Sequence, residues 1–270
     1  MKALVGVPLP LIVLTCSAAN NIKLHMQNTP YTGQCYANQS EGSLRSARVV
    51  VPLVMDMIRP KSVVDVGCGV GTWLAAFSEN GVGKVLGLDG DYVDTSKLLI
   101  PKENFRPTDL SRPFSINERF DLAVSLEVAE HLPGTSAENF VKTLVGLAPV
   151  VMFSAAIPLQ GGTNHINEQW HQYCVIIFSS FNYRMIDVLR GRIWQDPTVE
   201  WCYRQNLFLF ASEKFLNANQ GLKKAEGLSG DLILVHKTIL DKHLNYIPLK
   251  TLHKKLLRTL CMRIFGEPDR

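Results

Sequence analysis

Clustered cysteine is missing from this chain. The six cysteines, Cys16, Cys35, Cys68, Cys174, Cys202 and Cys261, never fall within three residues of one another. That excludes zinc ribbons, redox Cys-x-x-Cys pairs and iron–sulfur ligand runs, and leaves ordinary thiols of a reducing compartment. Charge is sparse too, at 19% of residues. Residues 231–270 hold eight Lys/Arg against four Asp/Glu, and the rest of the chain holds 20 of each sign. A neutral body lacks the basic face of a nucleic-acid-binding domain, so no nucleic-acid partner is expected. There is no internal repeat and no low-complexity run. The apolar stretch at residues 3–14, behind Lys2 and ahead of Ser17, Ala18 and Ala19, has the pattern of a signal peptide but falls short of a membrane span.

What is present is enough apolar material for a full core. Hydrophobic residues make up 46% of 270, which suits one large domain or one domain with a smaller addition. Leu44, Ala47, Val50, Val51, Val54, Met55 and Ile58 follow a helical period over residues 42–57, with Pro52 weakening its middle and Pro60 stopping it. Ser62–Val66 is β-branched and apolar on both faces, as a buried parallel strand would be. Further strands are predicted at 84–89, 104–109, 120–126, 150–155, 183–189 and 206–211, and helices at 73–79, 137–147 and 170–180. This alternation predicts an α/β fold with a parallel, Rossmann-like doubly wound sheet of seven strands, an N-terminal helix and a C-terminal helical tail. Residues 217–230 are polar and hold three glycines, a loop by composition. Three parts follow: an apolar segment at 1–25, a domain at 26–215, and a linker with a basic amphipathic tail at 216–270.

The first strand runs into Asp65-Val66-Gly67-Cys68-Gly69-Val70-Gly71 and then a helix. Glycines at such a turn let backbone approach a ligand where a Cβ would collide. The helix start adds free N–H groups and partial positive charge. Dinucleotide enzymes use G-x-G-x-x-G there; this chain has G-x-G-x-G, with Thr72 where the third dinucleotide glycine would fall. Asp65, two residues before the first glycine, suits a cationic ligand end better than a pyrophosphate.

The segment from Asp65 to Gly71 resembles motif I of the class I S-adenosylmethionine-dependent methyltransferases, and the resemblance runs from about residue 62 to 211. Asp89 ends the second strand, 24 residues after Asp65. Asp109, followed by Leu110, ends the third, and Leu126-Glu127-Val128-Ala129-Glu130-His131 resembles the E-x-x-E-H signature of small-molecule members. The resemblance implies S-adenosyl-L-methionine as cofactor, held by Asp65, Gly67, Cys68, Gly69, Gly71, Asp89, Gly90, Asp109, Leu110, Leu126 and Glu127. In the family the acidic residue at Asp89 takes the ribose hydroxyls, and the one at Asp109 faces the adenine amino group. Asp109 also reads simply as the cap of a following turn, and Glu130 as the surface charge of a helix.

Methyl transfer to a hydroxyl needs alignment, exclusion of water and usually a general base. His131 is the first candidate, with His165 and Glu127 beside it as catalytic residues. Residues 158–171 are too polar and glycine-rich for core and follow the fifth strand, where a loop can fold over a pocket as a lid. The run from His165 to Trp170 is similar to one in a bacterial branch of the family associated with glycan or natural-product modification. In that branch proline usually follows the tryptophan; His171 stands here. His165 and His171 have no third partner in view, so no metal is expected.

The expected activity is therefore transfer of a methyl group to a hydroxyl or amine of a small molecule or sugar. The alternatives are a non-catalytic module that binds the cofactor as a scaffold, and a nicotinamide-dependent oxidoreductase, which Thr72 disfavours. An intracellular cosubstrate favours a cytoplasmic protein, with residues 1–25 either an extension ahead of a start at Met26 or an apolar segment packed on the fold. Leu249, Leu252, Leu256, Leu257, Leu260 and Ile264 space a helix interleaved with basic residues. That helix suits packing on the domain or a homodimer, or contact with an anionic membrane surface.

Overall fold

The computed structural model describes residues 33–225 and 235–244, with side chains over 40–224 and 235–241. The apolar N-terminal segment and the basic amphipathic run after residue 244 lie outside the described residues. No helix among the described residues is long and apolar enough to cross a membrane.

Helix α1 (Gly33–Ile58) begins nine residues ahead of the expected start. It runs unbroken through Pro52, whose ring lies on the exposed side. Arg59, in the left-handed region (φ 52), and Pro60 end it. Then come β1 (Ser62–Val66), α2 (Thr72–Glu79), β2 (Lys84–Asp89), β3 (Phe105–Pro107), β4 (Leu122–Leu126), α3 (Ala137–Leu147), β5 (Val150–Ser154), α4 (His171–Ser180) and β6 (Tyr183–Ile186). The short helices α5 (Arg190–Ile193) and α6 (Trp201–Asn206) lead to β7 (Phe208–Ser212). The helices α7 (Glu213–Ala218), α8 (Gln220–Ala225) and α9 (Lys237–Leu244) follow.

The strands form one seven-stranded sheet in the order β3-β2-β1-β4-β5-β7-β6. The fold class is as the sequence implied, but the sheet is mixed. β7 runs antiparallel to both neighbours, β5 and β6. The alternation of Phe208 to Ser212 is the same in either direction, so periodicity alone could not show this. The direction matters for the site. An antiparallel partner needs no crossover, so the chain between β6 and β7 stays at the edge where the parallel strands end.

The sheet is buried on both faces. Val63, Leu122, Val124, Val150, Met152 and Leu209 pack with Val50, Val51 and Val54 of α1 and Leu74 and Phe77 of α2. Val64, Val66, Leu88, Ala123, Val151 and Phe210 pack with Phe140, Val141 and Leu144 of α3 and Phe178 of α4. Residues expected as loop after 217 instead enter α8, and Leu216 and Leu222 join the first of these cores. Gly221, read as a sign of linker, lies inside that helix. Burial of apolar side chains outweighs the cost of one helical glycine, about 1 kcal/mol.

Candidate active site

The glycine turn after β1 is strained in the way only glycine tolerates. Gly67, Gly69 and Gly71 have φ of 90, 53 and 82°. The amide of Gly67 donates to the Leu88 carbonyl (2.7 Å), so pairing with β2 carries into the turn. A Cβ on Gly67 would stand 2.3 Å from Cγ2 of Val128, just beyond β4, whereas one on Gly69 would meet nothing within 4 Å. The turn is thus pressed against the end of β4 on one side and open over Gly69. Cys68 is buried, and burial first, then the charges of Asp65 and Asp89, push its thiol pKa far up.

Asp89 ties this turn to β2. Oδ2 accepts from the Gly69 amide (2.7 Å); Oδ1 accepts from the Gly90 amide (2.7 Å) and the Tyr92 hydroxyl (2.5 Å). A Cβ on Gly90 would lie 2.0 Å from the Tyr92 ring, so glycine there lets the tyrosine fold back. Asp65 is 2% exposed and its pKa is raised well above the carboxylate range, by burial first and then by Asp89. Two buried acids at one edge of the sheet favour a cationic ligand group. Asp89→Ala is expected to cost S-adenosylmethionine about 2–3 kcal/mol of affinity through lost charge-assisted hydrogen bonds. Calorimetry checks this, and unchanged affinity would place the ribose elsewhere.

Asp109 lies two residues beyond the end of β3 rather than within it. Its side chain accepts from the Ser111 amide (3.0 Å) and hydroxyl (2.6 Å) and pairs with Arg112 (3.2 Å). These contacts, the Ser111 hydroxyl foremost, hold its pKa below the usual value. Leu110 is half-buried against the α3 face, and Leu126 is the buried last residue of β4.

Glu127, immediately after β4, has a left-handed backbone (φ 55), and its amide donates to the carbonyl and hydroxyl of Ser154 (3.1 and 3.0 Å). Its carboxylate accepts from Gln160 Nε2 (2.6 Å) and Asn206 Nδ2 (3.1 Å). Asn206 also donates to Gln160 Oε1 (2.8 Å), while its Oδ1 accepts from His171 Nε2 and Gln205 Nε2 (3.0 and 3.1 Å). Burial raises the Glu127 pKa; the hydrogen bonds from Asn206, Ser154 and Gln160 and the nearby His165 draw it back. Asn206, expected to open the seventh strand, instead ends α6. It reaches Glu127 because the link from β6 to β7 stays at this edge. That link is itself anchored by Arg190, 2% exposed, which pairs with Asp187 and lies over the Phe208 ring at 4.4 Å.

Glu130 and His131 sit on a short turn after Glu127, and His165 comes from the loop after β5. The Glu130 carbonyl accepts from the amides of Ile166 and Asn167 (2.9 and 3.0 Å). Glu168 accepts from the amides of Leu159 and Gly161 (3.0 and 2.7 Å) and from His165 Nδ1 (3.0 Å). The loop is strapped rather than free. His131 Nδ1 donates to the Asn164 carbonyl (3.3 Å), and the His131 and His165 rings meet edge-on with centroids 4.9 Å apart. Since a carbonyl and a carboxylate only accept, each imidazole carries its proton on Nδ1 and offers Nε2 as a lone pair. Burial, then His165, lowers the His131 pKa, which favours the neutral, proton-accepting form at neutral pH. His171, by contrast, is buried against Phe208 and bound to Asn206.

Residues 44–155 match the family model described as a methyltransferase domain. No curated protein matches the chain. Among solved structures, the methyltransferase domain of bacterial CtHen1-C is 19% identical, covering 63% of this chain and 98% of its own, with a TM-score of 0.48. An O-methyltransferase family protein from Burkholderia thailandensis is 13% identical, covering 66% and 59%, with a TM-score of 0.49. DesVI of Streptomyces venezuelae is 14% identical, covering 66% and 94%, with a TM-score of 0.47.

Proposed function

Starting from a chain that carries an S-adenosylmethionine-dependent methyltransferase domain of class I, we propose that it methylates a hydroxyl of a small molecule or sugar. The observation that carries this reading is the meeting of two halves of one mouth: the glycine turn abuts Val128 beyond β4, and Glu127 and His131 flank Val128 in the sequence. The cofactor half is Asp65, Gly67, Cys68, Gly69, Gly71, Asp89 and Gly90, with Asp109, Leu110 and Leu126 at its border. The open space over Gly69 and the acid pair fit a ligand with a cationic end, and the cofactor supplies a methyl group on a sulfonium.

The acceptor half is Glu127, His131 and His165. An imidazole with its Nδ1 proton fixed presents Nε2 to take the acceptor's proton as the new bond forms. Glu127, gripped by Gln160 and Asn206, holds a negative charge at the boundary of the two halves. The strapped loop at residues 158–171 excludes water from one side. The catalytic unit is taken as residues 26–215 together with the start of the 216–270 part, since Leu216 and Leu222 pack in the first core.

The test is incubation of the protein and S-adenosylmethionine with a metabolite and oligosaccharide extract and, separately, with small RNA. Mass spectrometry then reads the addition of one methylene unit. A product in the first arm supports the reading. A product only in the RNA arm overturns the acceptor class, and tight S-adenosylhomocysteine binding with no product in either arm means a scaffold.

A further inference from the structure

We propose that Glu130, His131 and His165 form a binding site for one divalent first-row transition-metal ion. Each offers one ligand atom, and the three atoms lie within 4.8 Å of one another. No sequence spacing suggested the trio, because His165 arrives from another loop and Glu130 resembled a surface charge.

Glu130 gives the second, independent observation. Its side chain is fully buried, and neither carboxylate oxygen makes a hydrogen bond. The amides of Glu130 and Ala156 lie near enough to favour its charge, but neither closes a well-formed bond. An unpaired buried carboxylate is a costly group, and a cation is what compensates it. His165 Nε2 stands 4.0 Å from Glu130 Oε1. That is too long for a hydrogen bond, and the two atoms need close by only about half an ångström to reach the spacing of ligands about 2.0–2.2 Å from one tetrahedral ion.

The outer contacts fit the same purpose. Metal-binding histidines characteristically donate their other ring N–H to a carboxylate or a carbonyl. His165 does so to Glu168, and His131 to the Asn164 carbonyl. The Glu130 carbonyl grips the two amides after His165, which fixes the turn and the loop to one another. Glu127 is left out of the ligand set, since Gln160 and Asn206 hold its oxygens.

Two imidazoles and a carboxylate select manganese, iron, cobalt, nickel or zinc over the all-oxygen preference of magnesium and calcium. Three protein ligands leave coordination positions open, as in sites that act on a substrate rather than brace a fold. With an ion bound, the Nε2 lone pairs of both imidazoles are taken and neither acts as a base; resting on the methyl-transfer reading, an acceptor hydroxyl in an open position would instead ionise more readily on the ion, while the cation site itself does not depend on that reading.

The test uses the full chain, without a histidine tag and stripped by dialysis against a chelator, titrated with Co²⁺ in the absence of cosubstrate and acceptor. The expected result is a visible d–d absorption band that saturates at one equivalent, and Zn²⁺ that displaces it. His165→Ala and His131→Ala are each expected to weaken Co²⁺ binding by at least about a hundredfold, and Glu168→Gln by about 10–100-fold through misorientation of His165. Circular dichroism and S-adenosylhomocysteine binding establish that each variant is folded. Absence of the band, or a band unchanged in both histidine variants, overturns the proposal. Because metal binding is read without turnover, its failure leaves the methyl-transfer reading standing, and failure to find a methylated product leaves the metal result standing.

Discussion

In His165→Ala, turnover on the true acceptor is expected to fall by about 10²–10⁴-fold, with S-adenosylhomocysteine affinity close to that of the parent. The residue stands on the acceptor side. Its Nδ1 is fixed by Glu168, its ring abuts His131, and its Nε2 faces Glu130. Whether Nε2 takes a proton or holds a cation, alanine removes the only lone pair the side chain presents. The proposed cofactor cradle is built from β1, β2 and the turn between β1 and α2, whereas the hydrogen bond and ring contact of His165 go to Glu168 and His131. Single-turnover kinetics and calorimetry on the same preparation read the two effects separately. Full activity in both His165→Ala and His131→Ala would mean that neither imidazole takes part and that alignment alone drives the reaction. Collapse of cofactor affinity would assign these residues to the other half of the mouth.

Gly69→Val is expected to weaken S-adenosylhomocysteine binding by at least about a hundredfold, about 2.7 kcal/mol, in a protein that still folds. Two facts make Gly69 the clean position. Its Cβ direction opens into space, so valine finds room in the unliganded protein and fills room the ligand needs. Its φ of 53° adds strain of about 1–3 kcal/mol for a non-glycine residue, which shows as a lower melting temperature rather than loss of fold. Gly67→Val is a poorer probe, because a Cβ there collides with Val128 whether or not ligand is present. Circular dichroism shows the fold and calorimetry the affinity. A folded Gly69→Val protein that binds normally would show that this turn is not the cradle.

The strand, glycine turn and acids of the candidate cofactor side were legible because they are local. A strand, a glycine turn, a helix and a second strand ending in an acid follow one another from residue 62 to 89, and each carries its own signal: β-branched runs, positive-φ glycines, helical spacing. The acceptor half was legible only as single residues. Glu127, His131 and His165 could be named from their places after β4 and β5, but their partners could not. Asn206 lies 79 residues from Glu127, and its signal, a polar pair inside an apolar stretch, reads as a strand start. Glu130 was set aside as a surface charge because a carboxylate is seldom fully buried. The direction of β7 was invisible because pleating has the same period either way. Residues 217–225 misled through glycine and polarity, although Leu216 and Leu222 were already at positions that bury on one side.

The return of β7 against β5 divides what a mutation can reach. The glycine turn, Asp65 and Asp89 of the proposed cofactor side come from residues 65–90, whereas Glu127, Gln160 and Asn206 are gathered from three distant stretches. The last of these arrives on a link whose geometry rests on its own buried ion pair of Arg190 and Asp187. Substitutions between residues 191 and 206 can therefore reshape the far wall of the mouth without altering a single residue of the glycine turn. On the proposed division of the site, acceptor preference and cosubstrate preference sit on separately variable parts of the chain, so divergence in one need not disturb the other.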